Sequence, residues 1–226
     1  MKLSHLLAAA ALGFSSLAAQ ASLISISGGN QYNIPGVGEV PLNKINNFEA
    51  NFPTNQTYWI GANLLSATTG KLEITYTYIA HEAGWNNQFH AGGQEITVNP
   101  LSTPTIVNTE TVSVGQALSF YFTTPNTLVG SRTVTNGANV PGTSVAGPQG
   151  GPYNYAVALG TTFTKNNVST YYDAVLFLDD TGYAPDDDNH DDLIIGVKVR
   201  AVPEPSTILL MGLGLLGLAG ARRIKA

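Results

Sequence analysis

Leu72-Glu73-Ile74-Thr75-Tyr76-Thr77-Tyr78-Ile79-Ala80 alternates Leu72, Ile74, Tyr76 and Tyr78 with Glu73, Thr75 and Thr77, and Leu193–Arg200 repeats the pattern with Leu193, Ile195, Val197 and Val199 opposite Lys198 and Arg200. A two-residue period sends successive side chains to opposite faces, so such a segment can bury one side only as an extended strand. β-Branched and aromatic residues fit that half-buried, pleated surface. Further runs at Glu95–Val98, Thr111–Val114, Leu118–Thr123, Ala156–Leu159 and Ala174–Leu178 are separated by clusters of Gly, Pro, Asn and Thr. Many short strands joined by turns predict an all-β protein, an antiparallel two-sheet β-sandwich of jelly-roll-like form. Thr124–Pro152, rich in Gly, Pro, Thr and Asn, reads as one long loop or irregular hairpin, and Lys44–Ala50 is the one short helix candidate.

Both ends of the chain read differently from its middle. Met1-Lys2, the apolar run Leu6–Leu17 and Ala19-Gln20-Ala21 have the charge, hydrophobicity and small-x-small order of a cleaved secretory signal peptide covering residues 1–21. At the other end, Val202-Pro203-Glu204-Pro205-Ser206-Thr207 precedes the apolar run 208–221, and Arg222-Arg223-Ile224-Lys225-Ala226 closes the chain. Pro203 and Pro205 fix φ and disfavour helix at the residues before them, so the motif is expected to be extended. Pro205–Ala221 carries no charge over 17 residues. As a helix it would span roughly 25 Å, slightly short of a hydrocarbon core of about 30 Å. Arg222, Arg223 and Lys225 would hold its end on the cytoplasmic side. The two ends demand one topology, with residues 22–201 as an exported β-sandwich domain and 202–226 as a separate segment.

This order of motif, apolar segment and basic end resembles the PEP-CTERM sorting signal of bacteria that export extracellular polysaccharide. The resemblance implies recognition at Val202, Pro203, Glu204, Pro205 and Ser206 by a membrane-embedded protease, an exosortase. It also implies transient residence in the inner membrane of a Gram-negative bacterium, followed by delivery to the cell surface or the extracellular matrix of a biofilm.

Composition narrows the chemistry. Losing Lys2 with the signal peptide and Arg222, Arg223 and Lys225 by removal of the tail after Pro205 leaves six basic residues against fifteen acidic ones, and the net charge moves from −5 to −9. Such a surface does not attract nucleic acid. The chain has no cysteine, which excludes disulfides, thiolate metal sites and cysteine nucleophiles.

All eight aspartates lie between Asp173 and Asp192, most of them in one stretch before the last predicted strand. Crowded carboxylates repel, and a hard divalent cation with oxygen ligands relieves that repulsion. Asp179, Asp180, Asp187, Asn189, Asp191 and Asp192 are therefore candidate Ca²⁺ ligands, with a solvated acidic turn as the alternative. Asp187, Asn189 and Asp191 match the opening of an EF-hand loop, but its glycine and distal glutamate are missing.

Leu176-Phe177-Leu178-Asp179-Asp180 followed by Asp187-Asp188-Asn189-His190-Asp191-Asp192-Leu193 resembles the C-terminal signature of a β-rich domain of unknown function found in exported bacterial proteins. That signature runs Phe-x-Glu/Asp-Asp, a Gly-containing turn, then Asp-x-Asp-Tyr-Asn-Asp and a hydrophobic strand. Glu82-Ala83-Gly84-Trp85-Asn86-Asn87-Gln88-Phe89 is similar to the same family's Ala-Gly-Tyr-x-Asn-x-Phe element. The resemblance implies a sandwich whose acidic loop binds calcium. Here Asn189, His190 and Asp191 stand where the family has Asp, Tyr and Asn.

His81, Glu82 and His90 do not have the spacing of a helical zinc site and read as hydrogen-bonded or solvent-facing side chains. Among the aromatics Tyr58, Trp59, Trp85, Tyr153, Tyr155, Tyr171 and Tyr172, the two tryptophans are the candidate glycan contacts, set against an ordinary place in the core or on the sheet surface. No nucleophile elbow, phosphate-binding glycine loop or recognisable acid pair appears. The reading is a non-enzymatic exported protein with a structural or adhesive role in the exopolysaccharide matrix. A carbohydrate-binding module is the alternative, and a polysaccharide-acting enzyme the third class.

Overall fold

The computed structural model describes residues 22–34, 48–82, 85–98, 104–125, 131–141, 153–180, 190–203 and 211–215. Thirteen strands lie among the described residues and, numbered along the chain, are all antiparallel to their neighbours. Seven form one sheet in the order β2 (Asn30–Ile34), β3 (Gln56–Ile60), β11 (Asn154–Lys165), β12 (Val168–Asp179), β13 (Leu193–Ala201), β5 (Gly70–Ala80), β8 (Thr105–Val112). Four form a second sheet in the order β10 (Arg132–Thr135), β9 (Phe120–Thr124), β6 (Gln88–Ala91), β7 (Gln94–Thr97). A separate ribbon pairs β1 (Ile24–Ser27) with β4 (Asn63–Ser66). The all-β antiparallel expectation holds, and among the described residues the strands group as seven, four and two.

The main core lies between the two larger sheets. Leu72, Ile74 and Tyr76, the alternating residues of β5, are fully buried there with Phe89, Phe120, Phe122 and Tyr155. Their rings form a continuous cluster, with centroids 4.8 Å apart for Tyr76 and Phe89, 5.1 Å for Phe89 and Phe122, and 5.4 Å for Phe122 and Tyr155. Burial of each such side chain contributes roughly 1.5–3 kcal/mol before the cost of ordering it.

A second core covers the opposite face of the seven-stranded sheet at its centre. Ala156, Ala158, Val175, Phe177 and Ile194 pack there with Phe52, beside a 3₁₀ turn at Glu49–Asn51. Phe52 meets Phe163 and Phe177 edge-on, each at 5.2 Å. This explains why Ala174–Leu178 reads as an unbroken apolar run: β12 is buried on both faces there. The short helix expected at Lys44–Ala50 is represented by that 3₁₀ turn, with residues 44–47 outside the described set.

Turn chemistry sets the registers. Asn166 and Asn167, at φ 51° and 62°, close the β11–β12 hairpin in the left-handed region that a two-residue type I′ turn demands. Gly92-Gly93 closes β6–β7 in the same way. Within Thr124–Pro152 a strand, β10, is present, and Asn136 and Asn139 follow it into the core. Asn136 Nδ2 donates to the carbonyls of Leu64 and Leu118, while its Oδ1 accepts from Leu64 N–H and the Tyr155 hydroxyl. Asn139 brackets Ala62 and Tyr155 in the same manner. The two amides satisfy backbone groups that a further strand would otherwise pair.

Candidate functional site

The functional candidates are strung along β13, from the acidic segment that leads into it to the sorting segment that follows. β12 ends at Asp179 and β13 begins at Leu193. Leu178 pairs with Leu193, so Asp179 and Asp180 emerge beside Asp191 and Asp192. All four aspartates are buried.

Hydrogen bonds lock this end of the molecule. Asp192 Oδ2 accepts from the Asp180 amide at 2.7 Å, and the Asp192 amide donates to the Leu178 carbonyl at 3.2 Å. Asp180 Oδ2 accepts from Asn87 Nδ2 at 2.6 Å, and Asn87 Oδ1 accepts from the Thr124 hydroxyl at 2.6 Å. The Tyr153 hydroxyl lies 2.9 Å from that of Thr124, so with Thr124 donating to Asn87, Tyr153 donates to Thr124. The chain Tyr153–Thr124–Asn87–Asp180 ties the ends of β11 and β12 to the four-stranded sheet, each donor polarising the next. Burial raises the Tyr153 phenol well above its usual range; the Thr124 hydrogen bond opposes that, and Asp180, Asp192 and Asp179 add to it. Tyr153 is therefore a permanent donor.

His190 sits at the same end, fully buried, with Nε2 2.8 Å from Asn154 Oδ1. Desolvation pushes its pKa down to about 3, so it is neutral at physiological pH, with the proton on Nε2. His190 is thus a core hydrogen-bond donor, not a solvent-facing group.

The six candidate calcium ligands divide. Asp179, Asp180, Asp191 and Asp192 are gathered at this end, whereas Asp187 and Asn189 lie outside the described residues. The four do not make a cation cage by themselves. Asp180 Oδ2 and Asp192 Oδ2 already accept from protein donors. Among the described residues no three His, Asp or Glu side chains form a metal-holding group.

Sequence reasoning missed Asn87, Thr124, Tyr153 and Asn154 as members of this assembly. The signal for Asn87 was present, because Trp85-Asn86-Asn87-Gln88-Phe89 sets Asn87 in the Tyr-x-Asn-x-Phe pattern. The structure joins that element to Asp180, 93 residues away in sequence, and buries Phe89 in the main core. The histidines near it have local partners: His81 Nδ1 lies 2.7 Å from the Tyr78 hydroxyl, and His90 Nε2 lies 2.9 Å from Thr123 Oγ1.

Trp59 is a half-buried residue of β3 packed against the main core, and Trp85 is half-buried in the stretch before β6. Trp59 lies in the seven-stranded sheet, whereas Trp85 precedes a strand of the four-stranded one.

At its other end β13 finishes at Ala201, paired with Leu72, and the Val202 N–H donates to the Lys71 carbonyl at 2.8 Å. Val202 and Pro203 follow the sheet without a spacer. Glu204, Pro205, Ser206, Arg222, Arg223 and Lys225 lie outside the described residues, as does the signal peptide at 1–21. Residues 211–215 are helical, and no described helix is long and apolar enough to cross a membrane.

These features define an all-β domain, locked at its acidic end by hydrogen bonds, whose last strand runs directly into a C-terminal sorting segment. Residues 201–223 match the family model of the PEP-CTERM protein-sorting motif, so the chain carries that motif at its C-terminal end. That motif is the recognition signal of exosortase, and proteins carrying it are exported across the inner membrane in Gram-negative bacteria. No curated protein and no solved structure matches the chain.

Asn87→Ala removes the donor to a buried carboxylate and the acceptor of Thr124 together. It is expected to cost about 2–4 kcal/mol, measured as a fall in ΔG of unfolding by urea titration.

Proposed function

We propose that this chain is an exported, exosortase-processed, non-enzymatic protein of the cell surface or exopolysaccharide matrix, with a structural or adhesive role. The observation that carries the reading is the direct passage of β13 into the sorting motif. An inner strand ends at Ala201 where the matched segment begins, so cleavage within Val202–Ser206 would release the domain with its sheet whole. The other end of the domain is close by. Leu23 O accepts from Ala67 N–H, and Ala67 is four residues before Lys71, the partner of Val202. A signal peptide ending at Ala21 and a sorting segment beginning at Val202 would thus enter and leave at one pole, facing one membrane.

The non-enzymatic part of the reading is supported by the acidic end itself. Its described carboxylates sit buried in a structural hydrogen-bond network, where general acid–base work would need groups open to substrate and free to exchange protons. In the same reading calcium stabilises this end; the four buried carboxylates form no metal-holding group by themselves, so Asp187 and Asn189 would have to bring ligands of their own. Calcium would supply charge compensation there and no chemistry.

Intact-mass and terminal-peptide spectrometry of the exported protein tests the processing. The expected form begins at Ser22 and ends within Val202–Ser206; a surface protein that still carries Arg222-Arg223 contradicts it. Calcium is tested by thermal unfolding of the same protein. At 100-fold excess over Kd a native-state ligand adds about 2.7 kcal/mol, so Tm is expected to rise by roughly 5–10 °C over the value in EDTA. An equal Tm in both removes calcium from the account.

A further inference from the structure

The β11–β12 hairpin outruns its neighbour in the sheet. β12 pairs with β13 only between Ala174–Val197 and Leu178–Leu193, yet its pairing with β11 continues to Val168–Lys165. β13 meanwhile continues against β5 to Ala201. Where the ladder stops, the Asp173 side chain takes over, Oδ2 accepting from the Val199 amide at 2.7 Å. The two ribbons diverge from that point and flank an open groove of ≈720 Å³.

One wall carries Ser169, Tyr171 and Asp173, alternate residues along one side of β12; the other carries Glu73, Lys198 and Arg200. The walls are held in place. Tyr172 lies against Gly196, where an added Cβ would come within 2.3 Å of its ring, and Lys198 Nζ stands 5.5 Å from the centre of that same ring. Arg200 is clamped to Glu73 by two contacts, Nε to Oε1 at 2.7 Å and Nη2 to Oε2 at 2.8 Å. Between these fixed polar groups Tyr171 leaves 57% of its surface in water.

An exposed ring beside planar donors and acceptors complements a pyranose, which has an apolar C–H face and a rim of hydroxyls that both donate and accept. Two cationic and two anionic side chains balance, so the groove selects for hydroxyls over net charge. A peptide adding as a strand against β13 would need an open backbone edge there. Here the Val199 amide is occupied by Asp173, and the far edge of β13 is paired with β5.

We propose that this groove binds a neutral polysaccharide, with Tyr171 stacked on a pyranose ring and Lys198 and the Arg200–Glu73 pair hydrogen-bonded to its hydroxyls. The site rests on the adhesive reading above and gives it a place, apart from both Trp59 and Trp85.

The test is affinity electrophoresis of the exported protein through gels containing dextran, galactomannan or xyloglucan, at low salt and at 0.5 M NaCl, a strength at which ionic attraction is largely screened, to about 4 Å. Retardation in at least one gel is expected, unchanged by salt. Tyr171→Ala is expected to weaken it about tenfold, equivalent to ~1.4 kcal/mol, with Tm unaltered because the ring is exposed; Arg200→Ala is expected to weaken it as well. No retardation in any gel overturns the proposal. So does retardation that survives Tyr171→Ala but is lost in Trp59→Ala, or binding of an unstructured polypeptide in place of the glycans. Processing is scored separately by mass spectrometry: a correctly trimmed protein without retardation rejects the groove alone, and an untrimmed protein that binds rejects the sorting account alone.

Discussion

β13 is hydrogen-bonded on both edges, to β12 from Leu193 to Val197 and to β5 from Ile194 to Ala201, and the remaining features are arranged along it. Its start emerges from the four buried aspartates. Its middle fills the main core with Ile195 and Val197 and the second core with Ile194. Its far half carries Lys198 and Arg200 into the groove, and its end is the first residue of the sorting segment. An interior strand cannot leave without unpairing two neighbours and exposing apolar residues on both faces. The last segment of the domain to be made is therefore also among the most firmly held, and the sorting motif inherits a fixed starting point.

That arrangement sorts the acidic residues by role. The aspartates at the head of β13 are bound into the fold by Asn87, by the Asp180 amide and by the hydroxyl relay from Tyr153 and Thr124. Asp173, further down β12, works differently: it caps a backbone amide where the sheet splits, beside a groove in which both charge signs and an exposed ring meet. Carboxylates that look alike in a count thus serve a locked end and an open one.

Much of the sheet could be read from the residues. β5 and β13 follow their alternation closely, because the main core buries one side of each along nearly its whole length. The second core was hidden. An unbroken apolar run such as Ala174–Leu178 announces burial on both faces but does not say what covers it, and Phe52 arrives from far away in sequence. β1, β4 and β6 are four residues each, too short for a period to register. Of the acidic site, the aspartates were visible as composition. Their partners were not, since Thr124, Tyr153 and Asn154 belong to distant strands that only pairing brings together. The groove left no local trace, because it depends on where one ladder stops while two others continue.

The account turns on β13 being an interior strand that closes the domain, and native-state hydrogen exchange of the exported protein tests this directly. Amides of Ile195–Val199 are expected to exchange only with global unfolding, at the same free energy as the central residues of β12 and β5. Exchange of β13 through a low-energy local opening, while β12 and β5 stay protected, would show a detachable edge and contradict the account.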